Sequence, residues 1–232
     1  MHIIFVALLL TLTQLTIESK VPDTISLNFE RKVMQGNSTE IVKGIAYYQS
    51  PQKLFIEVKH PINQIMIIDG GVMLIYYPLE KKAIRYKTRN QIPIPFIQTM
   101  LSIIKDDYGL TEMGYTLKKH KTEGDNLYTY WEPPRELRKR LGSFILGTAN
   151  GRLVYVEAKN PKGKTVAKSF YEKYIELMGK NIPMEIHTDI YNEGKIKAED
   201  VAYSKVKLNV ALPEEVVNFK LPESISVKEI EW

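Results

Sequence analysis

One hairpin in the first half of the chain constrains the fold most strongly. Two runs of β-forming residues, 65–68 and 71–76, flank the dipeptide Asp69-Gly70, which is typical of a two-residue turn. Such a turn predicts three cross-strand pairs: Ile68 with Gly71, Met66 with Met73, and Gln64 with Ile75. Paired residues share a face, so apolar side chains occupy both faces of the hairpin: Met66, Ile68, Met73 and Ile75 on one, and Ile65, Ile67, Val72 and Leu74 on the other. The hairpin is therefore expected to be central, covered on both sides or covered on one side and lining a cavity on the other.

Period-two alternation extends this β character over most of the chain. Leu54, Ile56 and Val58 alternate with Glu57 and Lys59, as in a strand with one buried face. Further strands are predicted at Thr24–Val33, Ile41–Gln49, Lys82–Lys87, Leu110–Lys119, Leu127–Trp131, Phe144–Gly147, Leu153–Lys159, Thr165–Ile175, Met184–Tyr191 and Ile196–Leu208.

One helix is predicted between Pro95 and Lys105, because apolar residues recur there at helical spacing: Phe96, Ile97, Met100, Leu101 and Ile104. No linker or shift in composition divides the chain. The sequence thus predicts a single domain over residues 20–232, mainly β, with one large antiparallel sheet and one or two helices against it.

The first 19 residues predict a signal peptide. Residues 3–10 are all apolar, and a more polar stretch ends near Ser19, as in the h-region and flank of an export signal. The alternatives are an amphipathic first helix that packs on the body and an uncleaved anchor. Export places the mature chain in the periplasm.

Catalytic and metal-binding signatures are absent from the sequence. It has no cysteine and four well-separated histidines, which argues against thiolate chemistry and a local metal site. Nucleophile elbows, phosphate loops and dinucleotide fingerprints are missing as well. We therefore expect no enzyme, no cofactor and no metal, although a carboxylate site assembled from distant strands stays open.

The net charge of +5 does not indicate nucleic-acid binding, because Lys and Arg alternate with Asp and Glu along the strands. The dense basic cluster is Arg135–Arg140, directly after Pro133-Pro134. It is interpreted as a solvated surface loop, and the functional alternative is docking on anionic lipid head groups or on an acidic partner.

The apolar residues of the hairpin and the predicted helix have two interpretations. The helix could plug the sheet and form an ordinary core. Alternatively, helix and sheet could enclose a cavity for an apolar ligand, with Met66, Met73 and Met100 as an adaptable lining.

Several segments in order resemble a known family. Residues 44–54, Gly-Ile-Ala-Tyr-Tyr-Gln-Ser-Pro-Gln-Lys-Leu, are followed by an alternating strand, by Pro61, by Asp69-Gly70 and by Tyr76-Tyr77-Pro78. Near the C-terminus, Phe219-Lys220-Leu221-Pro222 leads to a β-branched ending at Val227. This order resembles the periplasmic lipoprotein carrier LolA and its relatives over about residues 26–228.

The resemblance implies a half-open antiparallel β-barrel capped by lid helices, with an interior for the acyl chains of lipoproteins or related lipids. The implied lining is Leu54, Ile56, Val58, Met66, Met73, Ile75, Phe96, Ile97, Met100 and Leu101. It also implies a monomeric periplasmic carrier from inner to outer membrane, with an inner-membrane ABC lipoprotein-release complex as donor, an outer-membrane acceptor and no nucleic acid. The alternative is a periplasmic lipid-sensing regulatory module of related fold.

Three features depart from the family pattern. Ser50 stands where relatives often have a basic residue that holds the lid shut. The segment after Ser19 leaves little room for a mature N-terminal helix, and Glu132–Gly179 is longer than in the compact carriers.

Overall fold

The computed structural model describes residues 22–50, 53–88, 105–192 and 194–231. They form a single sheet of fourteen strands in the order β14-β6-β5-β4-β3-β2-β1-β13-β12-β11-β10-β9-β8-β7. The strands are β1 Thr24–Gln35, β2 Ser38–Gln49, β3 Lys53–His60, β4 Gln64–Asp69, β5 Val72–Tyr77, β6 Lys82–Lys87, β7 Thr116–Glu123, β8 Asn126–Glu132, β9 Phe144–Ala149, β10 Arg152–Lys159, β11 Thr165–Leu177, β12 Lys180–Asn192, β13 Lys195–Leu208 and β14 Ser226–Glu231.

Neighbouring strands are antiparallel except for β14, which pairs with β6 in parallel. The sheet does not close, so the predicted half-open, mainly antiparallel β architecture is confirmed. Four predictions need correction. Residues 110–114 form turns rather than the start of a strand, and β14 was missed. The other two corrections concern the hairpin.

The hairpin turn lies one residue later than predicted. Asp69 pairs with Val72, Ile68 with Met73, and Met66 with Ile75, so Gly70 and Gly71 form the turn. Gly70 has a φ of +56°, a conformation that costs glycine little and aspartate more. The shift of the turn by one residue changes the partner of each β4 residue by two positions along β5. Residues two positions apart in a strand share a face, so the predicted faces are unchanged. In sheet order the hairpin lies between β3 and β6, away from the centre.

One face of the sheet, here called the inner face, carries most of the core. In β1 the buried residues alternate at Ile25, Leu27 and Phe29, and their cross-strand neighbours continue the same face. The buried cluster extends through β2, β3, β4, β9, β10, β11, β12 and β13 and includes Leu110 and Tyr115, which precede β7. The core thus joins both halves of the chain through one face of one sheet.

The segment after β13 crosses the opposite, outer face. It contains a short helix, α1 (Glu214–Val217), in which Val216 is buried. The Phe219 ring packs on Phe55 at 5.6 Å and on Tyr76 at 6.4 Å between centroids. These contacts cover the outer face of β3–β5 and lead the chain to the edge of β6.

The predicted signal segment and the helix at Pro95–Lys105 lie outside the described residues, apart from Lys105 itself. Arg135–Leu137 forms a short 3-10 turn in the exposed loop between β8 and β9. In the part of the chain that the structure describes, no helix is long and apolar enough to span a bilayer.

Candidate functional site

The structure brings together the six predicted lining residues that it describes. Leu54, Ile56 and Val58 lie on the inner face of β3, opposite β4. Met66 of β4 lies between Ile56 on one side and Ile75 on the other, as the pairings of β3, β4 and β5 show. Met73 lies opposite Ile68 in the adjacent row. The predicted residues therefore form one apolar patch across three strands.

Burial decreases across this patch from β3 to β5. Leu54, Ile56 and Val58 are 7%, 3% and 6% exposed, as expected for core residues. Met66, Met73 and Ile75 are only half-buried, although both methionines pack against the core. Ile84 of β6, opposite Ile75, is also half-buried. The apolar surface that the core leaves incompletely covered is thus on β4, β5 and β6.

The remaining predicted lining residues, Phe96, Ile97, Met100 and Leu101, lie outside the described residues. The apolar patch is consequently defined here by its sheet side alone.

The other half of the inner face is different, because polar side chains cross it. Arg31 and Glu199 form an ion pair at 2.6 Å between Nη2 and Oε2, with both side chains largely covered. In the neighbouring strands the hydroxyls of Ser169 and Thr188 lie 2.9 Å apart. We call these four residues the polar strip. Sequence patterns missed it, since Arg31 and Glu199 look like ordinary surface charges until β1 is paired with β13.

Aromatic residues also fill this half. Tyr171 and Tyr203 are buried, and burial raises the pKa of both phenols, so both stay neutral at physiological pH. Trp131 and Phe144 pack against the same core, and the Phe144 ring lies 5.2 Å from Tyr115. Side chains of the protein itself therefore occupy much of the inner face of β8–β13.

A charged groove of about 330 Å³ lies among the outer-face side chains of β1, β11, β12 and β13. The side chains of His187, Asp200, Lys32, Glu30 and Glu185 line it. His187 Nδ1 is 2.6 Å from Asp200 Oδ1, and its Nε2 is 3.4 Å from Asp189. The hydrogen bond to Asp200 raises the pKa of His187 above its usual value, against the lowering effect of partial burial. Among the described residues no cluster of three metal-ligating side chains occurs.

The family model described as outer membrane lipoprotein carrier protein LolA matches residues 21–174. The chain belongs to the LolA family. No curated protein matches the sequence.

Solved structures share the fold of this LolA family member at low sequence identity. A LolA superfamily protein from Nitrosomonas europaea is 15% identical, with a TM-score of 0.59 over 85% of this chain and 92% of that chain. A DUF1329 family protein from Desulfovibrio piger is 11% identical, with a TM-score of 0.60 over 87% and 92%. A lipoprotein-sorting protein domain from Vibrio parahaemolyticus is 11% identical, with a TM-score of 0.56 over 84% and 89%.

Membership of the LolA family supports a lipoprotein-binding or lipoprotein-sorting type of protein. The family is one of carriers rather than enzymes, and its members are periplasmic. The apolar patch on β3–β5 consists of aliphatic and thioether side chains.

Proposed function

We propose that this chain is a periplasmic carrier that holds the acyl chains of lipoproteins, or of related lipids, against the apolar patch and takes them from the inner to the outer membrane. An inner-membrane ABC lipoprotein-release complex would donate the cargo, and an outer-membrane protein would accept it. The observation that carries the proposal is the group of half-buried apolar residues Met66, Met73 and Ile75 on the inner face of β4 and β5. They lie beside the buried residues of β3: Leu54, Ile56 and Val58.

The energetics of acyl chains explain why such a surface is needed. Each methylene that leaves a bilayer for water costs about 0.8 kcal/mol, so a 16-carbon chain is held by on the order of 12 kcal/mol. A carrier must offset most of this cost with apolar surface of its own, yet release the cargo later. Met66 and Met73 suit this task because flexible thioether side chains repack around ligands of different shape.

The first test is native mass spectrometry of the protein purified from the periplasm, followed by organic extraction of whatever is released. Bound lipoprotein or lipid would support the proposal and identify the class of cargo. A clean apo mass, together with no uptake of a triacylated peptide, would contradict it and show that the patch belongs to an ordinary core.

A pair of variants on one strand tests the location of the site. Ile75→Glu places a carboxylate on the inner face of β5, and we expect it to weaken binding of a triacylated peptide at least tenfold. Val72→Glu places the same charge on the outer face of the same strand, where Val72 is 37% exposed, and we expect unchanged binding. Equal losses in both variants, with circular dichroism unchanged, would place the site elsewhere.

A further inference from the structure

The two rims of the sheet differ in charge. Hairpin connections alternate between the ends of antiparallel strands, so the loops β1–β2, β3–β4, β5–β6, β8–β9, β10–β11 and β12–β13 all lie at one end. Their sequences contain seven Lys or Arg residues and three Glu residues. The five connections at the opposite end contain no Lys or Arg and a single acid, Asp125. We call the first end the basic rim and the second the tight rim.

Most of the positive charge of the basic rim lies in two adjoining loops. The β8–β9 loop carries Arg135, Lys139 and Arg140, and the β10–β11 turn carries Lys162 and Lys164. All five side chains are exposed, and none forms an ion pair with another described residue. Arg138, in contrast, is paired with Glu132 at 2.7 Å. We call these five residues the basic corner.

Backbone contacts hold the two loops side by side. The Lys159 amide donates to the Ser143 carbonyl at 2.9 Å, and the Tyr115 hydroxyl donates to the Gly142 carbonyl at 3.1 Å. At Gly142 the two loop segments approach so closely that a Cβ at this position would lie 1.5 Å from the Lys159 carbonyl oxygen. The Asn160 side chain accepts hydrogen bonds from the amides of Lys162 and Lys164. The two loops that carry the basic corner are thus held side by side.

One exposed apolar side chain lies beside these charges, and two others lie on more distant loops of the same rim. Leu141 follows Arg140 directly and is 37% exposed, and two other loops of the basic rim carry Ile62, 55% exposed, and Leu79, 83% exposed. Cations next to exposed aliphatic side chains are typical of surfaces that lie at a membrane interface. The five cations themselves do not line the small groove of about 190 Å³ between the two loops, which Arg138 and Leu141 border. Exposed cations spread over two loops suit a field of anionic head groups, each of which can meet a separate cation.

We propose that the basic corner docks the protein on a bilayer surface that bears anionic lipid head groups, with Leu141 entering the interface. Each Lys or Arg close to an anionic bilayer strengthens binding by about fivefold, and the interaction is screened by salt. Docking in this way would hold the basic rim, including the loops at the ends of β3–β6, against the membrane. The inference does not depend on acyl-chain binding.

Vesicle sedimentation tests the docking. The protein purified from the periplasm is mixed with one of two kinds of vesicle, and no acylated peptide is present. The neutral vesicles contain phosphatidylcholine alone, and the anionic vesicles contain phosphatidylcholine with 30% phosphatidylglycerol. We expect binding to the anionic vesicles only, weakening as salt rises. The variant Arg135→Gln/Lys139→Gln/Arg140→Gln should bind about 100-fold more weakly. Failure of the unmodified protein to prefer anionic vesicles would overturn the proposal and leave the acyl-chain test untouched.

A matched control separates local charge from net charge. The variant Lys205→Gln/Lys207→Gln/Lys228→Gln also loses three positive charges, but at exposed positions outside the basic corner. We expect its affinity for anionic vesicles to stay within threefold of that of the unmodified protein. An equal loss in both triple variants would show that net charge alone drives binding, and the docking site would be wrong.

Site-specific labelling gives an independent readout, because the chain has no cysteine. Leu141→Cys and, at the tight rim, Met178→Cys can each carry an environment-sensitive dye. Quenching by spin-labelled lipids is expected at position 141 and not at position 178. The reverse pattern, or capture of an acidic protein by the basic corner without any vesicle binding, would overturn the proposal.

Discussion

The inner face differs between β3–β5 and β11–β13, although both stretches belong to one sheet. In β3–β5 the central inner-face positions are aliphatic or thioether side chains, and their burial falls from β3 to β5. In β11–β13 large aromatic residues and the polar strip occupy the inner face, and their polar groups bond to one another. In β11–β13 the polar groups of the polar strip therefore find partners within the protein. In β3–β5 the decreasing burial leaves the apolar side chains of Met66, Met73 and Ile75 only half covered.

The largest expected effect on stability comes from placing the same charge at the buried end and at the half-buried end of the apolar patch. Leu54→Glu buries an unpaired carboxylate at a position that is 7% exposed, and we expect it to lower the free energy of unfolding by about 4 kcal/mol or more. Ile75→Glu at the half-buried end should cost about 1.5 kcal/mol or less. Urea unfolding followed by circular dichroism measures both, and equal losses would remove the distinction between core and open surface.

A pair of alanine substitutions tests the same difference in burial with a smaller change. Ile56→Ala deletes methyl groups at a position 3% exposed and should cost about 3 kcal/mol through lost burial and the cavity left behind. Ile75→Ala, two strands away in the sheet, should cost about 1 kcal/mol because water or ligand can reach the space. Urea midpoints at a constant denaturant slope give both values. A larger loss at Ile75 would mean that β5 is core.

A smaller loss of stability is expected from a substitution in the polar strip. Glu199→Gln removes the charge that pairs with Arg31 and should lower the free energy of unfolding by about 1–2 kcal/mol, while binding of a triacylated peptide stays unchanged. The measurements are urea unfolding and peptide titration on the same preparation. Unchanged stability with weakened peptide binding would instead make the polar strip part of the ligand site.

The smallest effect lies on the reverse side of the same strands. Because the folded state raises the pKa of His187, protonated His187 stabilises the fold below its unfolded pKa of about 6.5. That contribution disappears as the pH rises through the folded pKa. The melting temperature should therefore fall slightly from pH 6 to pH 8, and less in His187→Gln. An identical pH dependence in both proteins would show that the bond to Asp200 contributes nothing.

Local patterns were sufficient to predict most of the strands and the faces of β3, β4 and β5. Alternation placed Leu54, Ile56 and Val58 together correctly, and the face shared by Met66, Met73 and Ile75 was right even though the turn was one residue off. An error of one residue in the turn changes the partner of each strand residue by two positions, which keeps the face. The faces are therefore more robust than the register.

Long-range contacts account for what the sequence could not show. Arg31 and Glu199 are 168 residues apart, and β14 pairs with β6 in parallel, without a hairpin to mark it. Residues 110–115 have strand-like composition, but Gly109 and Gly114 adopt positive φ there and Tyr115 turns into the core. The decrease in burial from β3 to β5 likewise depends on what covers each strand, which no local pattern contains.

An open sheet has a consequence for colloidal behaviour. A closed barrel has no free edges, whereas here β7 ends the sheet order and all eight of its residues are exposed. Lys118, Lys119 and Lys121 occupy that edge, and charged side chains discourage a second chain from adding its own strand. The lysines of β7 thus disfavour edge-to-edge addition of a second copy at this border of the open sheet.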